Sequence, residues 1–304
     1  MNEPRITGSG PVVPRGLAER AREISDGRLA PAVPRDAATV ILLREARAEA
    51  AERAKGAEAE SGVEAFLLRR TAELEFAPGA YVFPGGSVDA CDMDPGLGWA
   101  GPGPADFAAL LDVPPDRARG LVCAAVRETF EESGVLLAGP SEDELIGGNT
   151  TLAADRHALL AGSTSLAEVL GRRGLILRTD LLTPWARWIT PEVSPRRFDT
   201  WFFAAALPPG QTATAAPEGF GNHADPGESE SGTWLRPAAA LEAARDGQIT
   251  LLPPTAVTLG ELAGHPGLAA VLGHRQVITP RLPKVVVEDG RIRLHLPQAG
   301  EERP

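Results

Sequence analysis

Arg127-Glu128-Thr129-Phe130-Glu131-Glu132-Ser133-Gly134-Val135 sets three carboxylates at i, i+3 and i+4, behind an arginine and ahead of a glycine. Residues three and four apart are neighbours on a helix, so Glu128, Glu131 and Glu132 share one face. At ~100° per residue the opposite face gathers Val122, Val126, Thr129, Phe130 and Ser133. The stretch predicts a helix with one apolar, buriable face and one face that concentrates acid. Like charges this close destabilise a bare helix by a few tenths of a kcal/mol per pair. A divalent cation with oxygen ligands would offset that repulsion. A solvated glutamate-rich face is the plain alternative, and this stretch alone does not separate the two.

The flanking sequence does. Upstream, Phe76-Ala77-Pro78-Gly79-Ala80-Tyr81-Val82-Phe83-Pro84-Gly85-Gly86 reads as a loop, a short strand and a Gly-Gly turn. Paired glycines let backbone approach a ligand closely. Pro114-Pro115-Asp116 suits the start of the acidic helix, and Gly134 suits its end as a left-handed cap. Between turn and helix, the stretch from Met93 to about Arg119 is first Gly/Pro-rich and then helical in pattern over Ala105 to Leu111.

Gly86 together with Arg127, Glu128, Glu131, Glu132, Gly134 and Val135 resembles the Nudix box, G-x5-E-x7-R-E-U-x-E-E-x-G-U, where U is bulky and apolar. Three departures stand out. Thr129 occupies a U position, and Asp92 stands where the box wants Glu. Asp92 and Arg127 enclose 34 residues where the box wants 7, an insertion of about 27 that is long for a connection in a compact domain. A box interrupted in this way is similar to that of the Nudix subfamily typified by the peroxisomal coenzyme A diphosphatase of animals. Leu67-Leu68-Arg69-Arg70, Gly85-Gly86-Ser87-Val88-Asp89-Ala90-Cys91-Asp92, Trp188-Ile189-Thr190-Pro191 and Arg196-Arg197-Phe198-Asp199-Thr200 fit it, over about Ala37 to Thr258. Glu75 stands where the signature of other CoA-cleaving Nudix enzymes would want Arg.

The resemblance implies an α/β fold, a Nudix-type α/β/α sandwich with a mixed central sheet, elaborated by the insertion and added helices. It implies metal-dependent hydrolysis of a phosphoanhydride. The expected substrate is CoA or acyl-CoA, giving phosphopantetheine or its acyl form and adenosine 3′,5′-bisphosphate. The alternatives are an NADH or ADP-ribose pyrophosphatase and, from another class, a nucleotide-binding regulator without turnover; an intact Glu trio speaks against the last.

The residues supply the chemistry such a reaction needs. Mg²⁺ or Mn²⁺ would neutralise phosphate oxygens and lower the pKa of a bound water. Glu128, Glu131 and Glu132 are its candidate ligands, with Glu131 and Glu132 also counted as catalytic, and Asp92 a candidate assistant. Arg127 is assigned to orienting carboxylates, and Gly85 and Gly86 to bringing backbone near the substrate. For the general base, the spacing to Trp234 favours Glu228 over Glu230; two solvated loop acids read equally well. Arg197 reads either as a phosphate or adenine contact or as a strand-end residue paired with Asp199. The five histidines, at 157, 223, 265, 274 and 295, show no ligand spacing.

Composition bounds the rest. With 304 residues and 43% hydrophobic content the chain can bury a full core. A net charge of −11 argues against a nucleic-acid-binding face. Partners are expected to be small molecules, with no nucleic acid, no membrane, and oligomerisation left open. Cys91 and Cys123 make no disulfide framework, though a bridge between them stays open. No run approaches the ~18 apolar residues of a membrane helix, no secretory signal is read at the N-terminus, and Glu-Glu-Arg-Pro is no peroxisomal tripeptide. Cytoplasmic residence is the default expectation. Residues 1–34 read as a flexible segment, 35–298 as one domain with its insertion at about 93–119, and 299–304 as a tail. Strands are predicted at Ala37 to Arg44, Val63 to Arg70, Tyr81 to Phe83, Trp185 to Thr190, Arg197 to Ala206 and Gly232 to Leu235. Helices are predicted at 115 to 133, 142 to 146, 153 to 160, 165 to 170 and 237 to 245, with more to about 273 and a hairpin over 285 to 296.

Overall fold

The computed structural model describes residues 15–46, 62–71, 77–216, 229–288 and 291–295. The chain divides into two compact units, one of Ala37–Trp185 with Trp201–Val277, the other of Met1–Asp36, Ala186–Thr200 and Ile278–Pro304.

Strand β1 (Arg35–Glu45) carries, within the larger unit, the apolar run Val40-Ile41-Leu42-Leu43, fully buried. Burial on both faces explains why this strand shows no alternation. Strand β2 (Val63–Arg70) runs antiparallel to it, with Leu43 opposite Ala65. Strand β3 (Ala80–Val82) pairs antiparallel with the far end of β2, Tyr81 opposite Arg69. Strand β4 (Gly85–Ser87) lies antiparallel on β1, Gly86 opposite Ala38 and Gly85 opposite Thr39. Ser229–Leu235 adds a further antiparallel strand on β2, while Thr250–Leu251 joins β3 in parallel, so the sheet is mixed as expected.

Helix Pro115–Ser133, which carries the acids, buries Leu121, Val122, Ala125, Val126 and Phe130. Burying each large apolar side chain contributes ~1.5–3 kcal/mol. The insertion folds rather than hanging free. Its helix Pro104–Leu111 packs on the acidic helix, and its Trp99–Ala100 pairs in parallel with Ile176–Arg178, which Ala138–Gly139 joins from the other side. Glu142 to Ile146, expected to be helical, is not: the Ile146 N–H bonds back to the Ala138 carbonyl at 3.1 Å. Five residues offer too few internal bonds to compete with that pairing.

In the smaller unit, a helix spans Arg15–Ser25. Arg20 Nε donates to the Val193 carbonyl at 3.0 Å, and Arg197 Nη1 to the Ala32 carbonyl at 2.8 Å. These long-range bonds order a stretch whose composition alone gave no sign of a partner. The C-terminal hairpin forms as predicted, from Lys284–Glu288 and Arg291–His295. No helix among the described residues is long and apolar enough to cross a membrane.

Candidate active site

The acidic helix begins with Pro115 in its first turn and ends on Gly134, whose φ of 70° is the left-handed cap read from the sequence. Thr129, the departure from the box, is fully buried and donates its Oγ1 proton to the Ala125 carbonyl at 2.7 Å. The hydroxyl is satisfied within the helix, so threonine serves as an apolar residue there.

The acid face differs from its expected form. Glu128 is 1% exposed, Glu131 3% and Arg127 2%, so the charged face is itself buried. Strand β4, the turn after it and the 3₁₀ segment Ala90–Met93 supply the groups that cover it. At its centre lies Arg127. Its Nε and Nη2 donate to the two oxygens of Asp92, both at 2.9 Å, and Nη2 also donates to the Ser87 carbonyl. Nη1 donates to Glu128 at 2.8 Å and to Glu131 at 3.4 Å. Asp89, which the sequence reading did not single out, stands 3.7 Å from Nη2.

Both oxygens of Asp92 face Arg127, and Oδ2 also accepts the Asp89 N–H at 2.8 Å. There it buttresses the arginine. Reaching that arginine across 34 intervening residues is what the folded insertion makes possible.

The two glycines meet the acids. Gly85 N–H donates to Glu132 Oε2 at 2.7 Å, and a Cβ on Gly86 would collide with the Glu128 carboxylate. Glu128 and Glu131 thus converge on Arg127, and Glu132 on the Gly-Gly turn. Among the described residues, no group of three or more Asp, Glu, His or Cys forms a ready metal cluster. Glu131 Oε2, however, is buried without a hydrogen-bond partner. Burial raises the carboxyls of Glu128 and Glu131 above the ordinary 4.5, even against the pull of Arg127. Burial opposes the Arg127 charge too, but Glu128, Asp92 and Glu131 more than reverse it. Two buried, underneutralised carboxylates and an unpartnered oxygen fit a hard cation.

Glu228 falls outside the described residues. Glu230 lies at a register irregularity between Ser229 and Ser231 of its strand. In the smaller unit, Arg197 is 8% exposed and gives Nε to the Thr190 carbonyl at 2.9 Å. Asp199 pairs with Arg187, at 2.6 Å. Arg187 precedes it on the neighbouring strand, where cross-strand charges meet. Both cysteines are free; burial pushes the Cys123 thiol up to about 12.

This sheet, with an acid-bearing helix closed on a Gly-Gly turn, is the arrangement of a Nudix hydrolase fold. A crystal structure of a Nudix hydrolase from Alicyclobacillus acidocaldarius matches with a TM-score of 0.62 and 26% identity, over 81% of this chain and 98% of that one. Residues 106–262 match the NUDT19 Nudix domain, and the chain belongs to that family. It is 29% identical over 238 residues to acyl-coenzyme A diphosphatase NUDT19 of Xenopus laevis, covering 66% of this chain and 60% of that protein. For the human protein of the same name the identity is 30% over 247 residues, covering 68% and 62%. The chain thus spans about 60% of the length of these relatives.

Proposed function

We propose that the protein is a metal-dependent diphosphatase that cleaves the phosphoanhydride of CoA or acyl-CoA. The products would be phosphopantetheine or its acyl form and adenosine 3′,5′-bisphosphate. The observation that carries this reading is the buried acid set around Arg127, closed on Gly85 and Gly86, with one glutamate oxygen unpartnered. The names of the relatives point to the substrate.

Glu128, Glu131 and Glu132 would hold Mg²⁺ or Mn²⁺, which supplies neutralisation of phosphate oxygens and a water of lowered pKa. Arg127 and Asp92 hold Glu128 and Glu131 in place. Gly85 and Gly86 would bring backbone close to the pyrophosphate, with the Gly85 N–H held by Glu132. Glu228 is assigned as general base on its spacing to Trp234, with Glu230 as its substitute.

The test is a screen of metal-depleted protein with Mg²⁺ or Mn²⁺ against CoA, an acyl-CoA, NADH and ADP-ribose, with product masses identifying the bond cut. CoA or its acyl form should turn over, yielding adenosine 3′,5′-bisphosphate. Cleavage of NADH or ADP-ribose with CoA left intact overturns the substrate. Glu132→Gln should lower kcat by at least ~10²-fold with the fold kept, the scale of losing a key catalytic group; parental turnover by that variant removes Glu132 from the chemistry.

A further inference from the structure

Helix carbonyls in the last turn have no partner within the helix, and at the end of the acidic helix those of Glu131, Ser133 and Gly134 are taken up by one polar assembly. Arg156, on helix Ala153–Leu160 and 9% exposed, donates Nε to the Glu131 carbonyl at 2.9 Å. Its Nη2 donates to the Thr214 carbonyl at 2.9 Å and its Nη1 to Thr214 Oγ1 at 3.3 Å. The Thr214 N–H returns to the Ser133 carbonyl at 2.9 Å. Asn149 Nδ2 bridges the carbonyls of Gly134 and Thr212 at 2.8 and 2.7 Å. Gln211 fixes the same strap by pairing with both the N–H and the carbonyl of Leu136.

Arg156 differs in kind from the other arginines of this region. Arg127, Arg172 and Arg173 all bond carboxylates. Each hydrogen bond of Arg156 recorded among the described residues ends on a neutral oxygen. A buried guanidinium whose hydrogen bonds go to neutral acceptors is a poor way to gain stability, because Glu132 and Glu131 nearby repay the desolvation of its charge only in part. It is a good way to hold backbone: the planar fork fixes three directions at once. Its charge also complements the negative end of the helix dipole.

Resting on the proposed function, we infer that Arg156 is a positioning residue for that site. It locks the last turn of the acidic helix to the strap at Thr212–Thr214 and so sets where the Glu131 and Glu132 side chains stand. A displacement of about 1 Å in such groups can lower turnover ~10²-fold.

The experiment compares the parent with Arg156→Lys and Arg156→Met by CoA kinetics, by direct Mn²⁺ titration with electron paramagnetic resonance, and by thermal unfolding. Arg156→Lys keeps the charge and loses the fork. It should lower kcat about tenfold or more, shift KM less than about twofold and weaken Mn²⁺ binding several-fold. A merely structural role would reduce the number of active molecules and leave the Mn²⁺ affinity of the folded remainder unchanged; that result overturns the inference, as does parental kcat in either variant. If only Arg156→Met fails to fold, Arg156→Lys decides; if both fail, Arg156 is structural and the inference falls. A parent that hydrolyses CoA while the variants behave as it does sinks this inference alone. A parent that neither binds Mn²⁺ nor cleaves CoA sinks the proposed function, and this inference with it.

Discussion

Arg127 keeps Asp92 and Glu128 within 2.9 Å, and all three are at most 2% exposed. Removing one partner of such a buried set leaves the rest undercompensated, which is more damaging than never having had the charge. Asp92→Ala should therefore cost about 3 kcal/mol of unfolding free energy, the lower end of the buried-pair range because Ser87, Glu128 and Glu131 still accept from the arginine. Urea denaturation measures it, and a loss under about 1 kcal/mol would mean the bidentate pair is dispensable. Much of the candidate site was readable at this scale. Glu128, Glu131, Glu132, Arg127, Gly85 and Gly86 announce themselves by spacing, because helix periodicity and glycine's missing Cβ are local properties. The roles of Asp92, Asp89 and Arg156 were not readable. Arg156 acts on Glu131 25 residues away and on Thr214 58 residues away, and no local pattern encodes which arginine will arrive at a given carbonyl.

The acidic helix itself was legible to the residue, since Pro115 starts it and Gly134 ends it. Both signals rest on backbone conformation that only a few residue types accept. The insertion was legible only in part. Its helix at 104–111 followed from an apolar pattern, but the pairing of Trp99–Ala100 with Ile176–Arg178 did not, because two-residue strands carry no period. Gly134 offers a test of how tightly the helix end is held. An alanine there bears the left-handed strain of ~1 kcal/mol or more, and its Cβ would also lie 2.9 Å from Arg156 Nη1. Gly174 caps helix Leu166–Arg173 with a φ of 63° and has nothing within 4 Å of a Cβ. Gly134→Ala should accordingly lower the melting temperature by a few degrees more than Gly174→Ala, roughly 2–4 °C for each extra kcal/mol. Equal shifts would show that Arg156 yields without cost.

For the molecule as a whole, the buried acids make stability depend on pH in a direction opposite to that of most carboxylates. The folded protein holds Glu128 and Glu131 above 4.5, mainly by burial, so it binds protons more tightly than the unfolded chain. Their stabilising contribution is complete below 4.5 and is lost as pH rises through the folded values. In the presence of a chelator, these two groups should make unfolding easier at pH 8 than at pH 5. Asp155, lowered below 3.8 despite some burial by its bonds to Arg173 and Arg172, contributes stability that disappears only at more acid pH, outside this window. His265, lowered below 6.5 by burial and by His274, acts the other way, since its contribution is lost on acidification. The two tendencies separate in a comparison with Glu128→Gln/Glu131→Gln, which abolishes the glutamate part and keeps the histidine part. Urea midpoints at pH 5, 6.5 and 8 should fall more steeply, or rise less, in the parent than in this double variant. Mn²⁺ at about 100 times its dissociation constant should then restore ~2.7 kcal/mol to the parent at pH 8 and nothing comparable to the variant. Identical pH profiles for the two proteins would mean that these carboxyls ionise in the folded chain as they do in the unfolded one. In that case Arg127 would already compensate the ionised acids, and burial would leave no excess charge for a cation to offset.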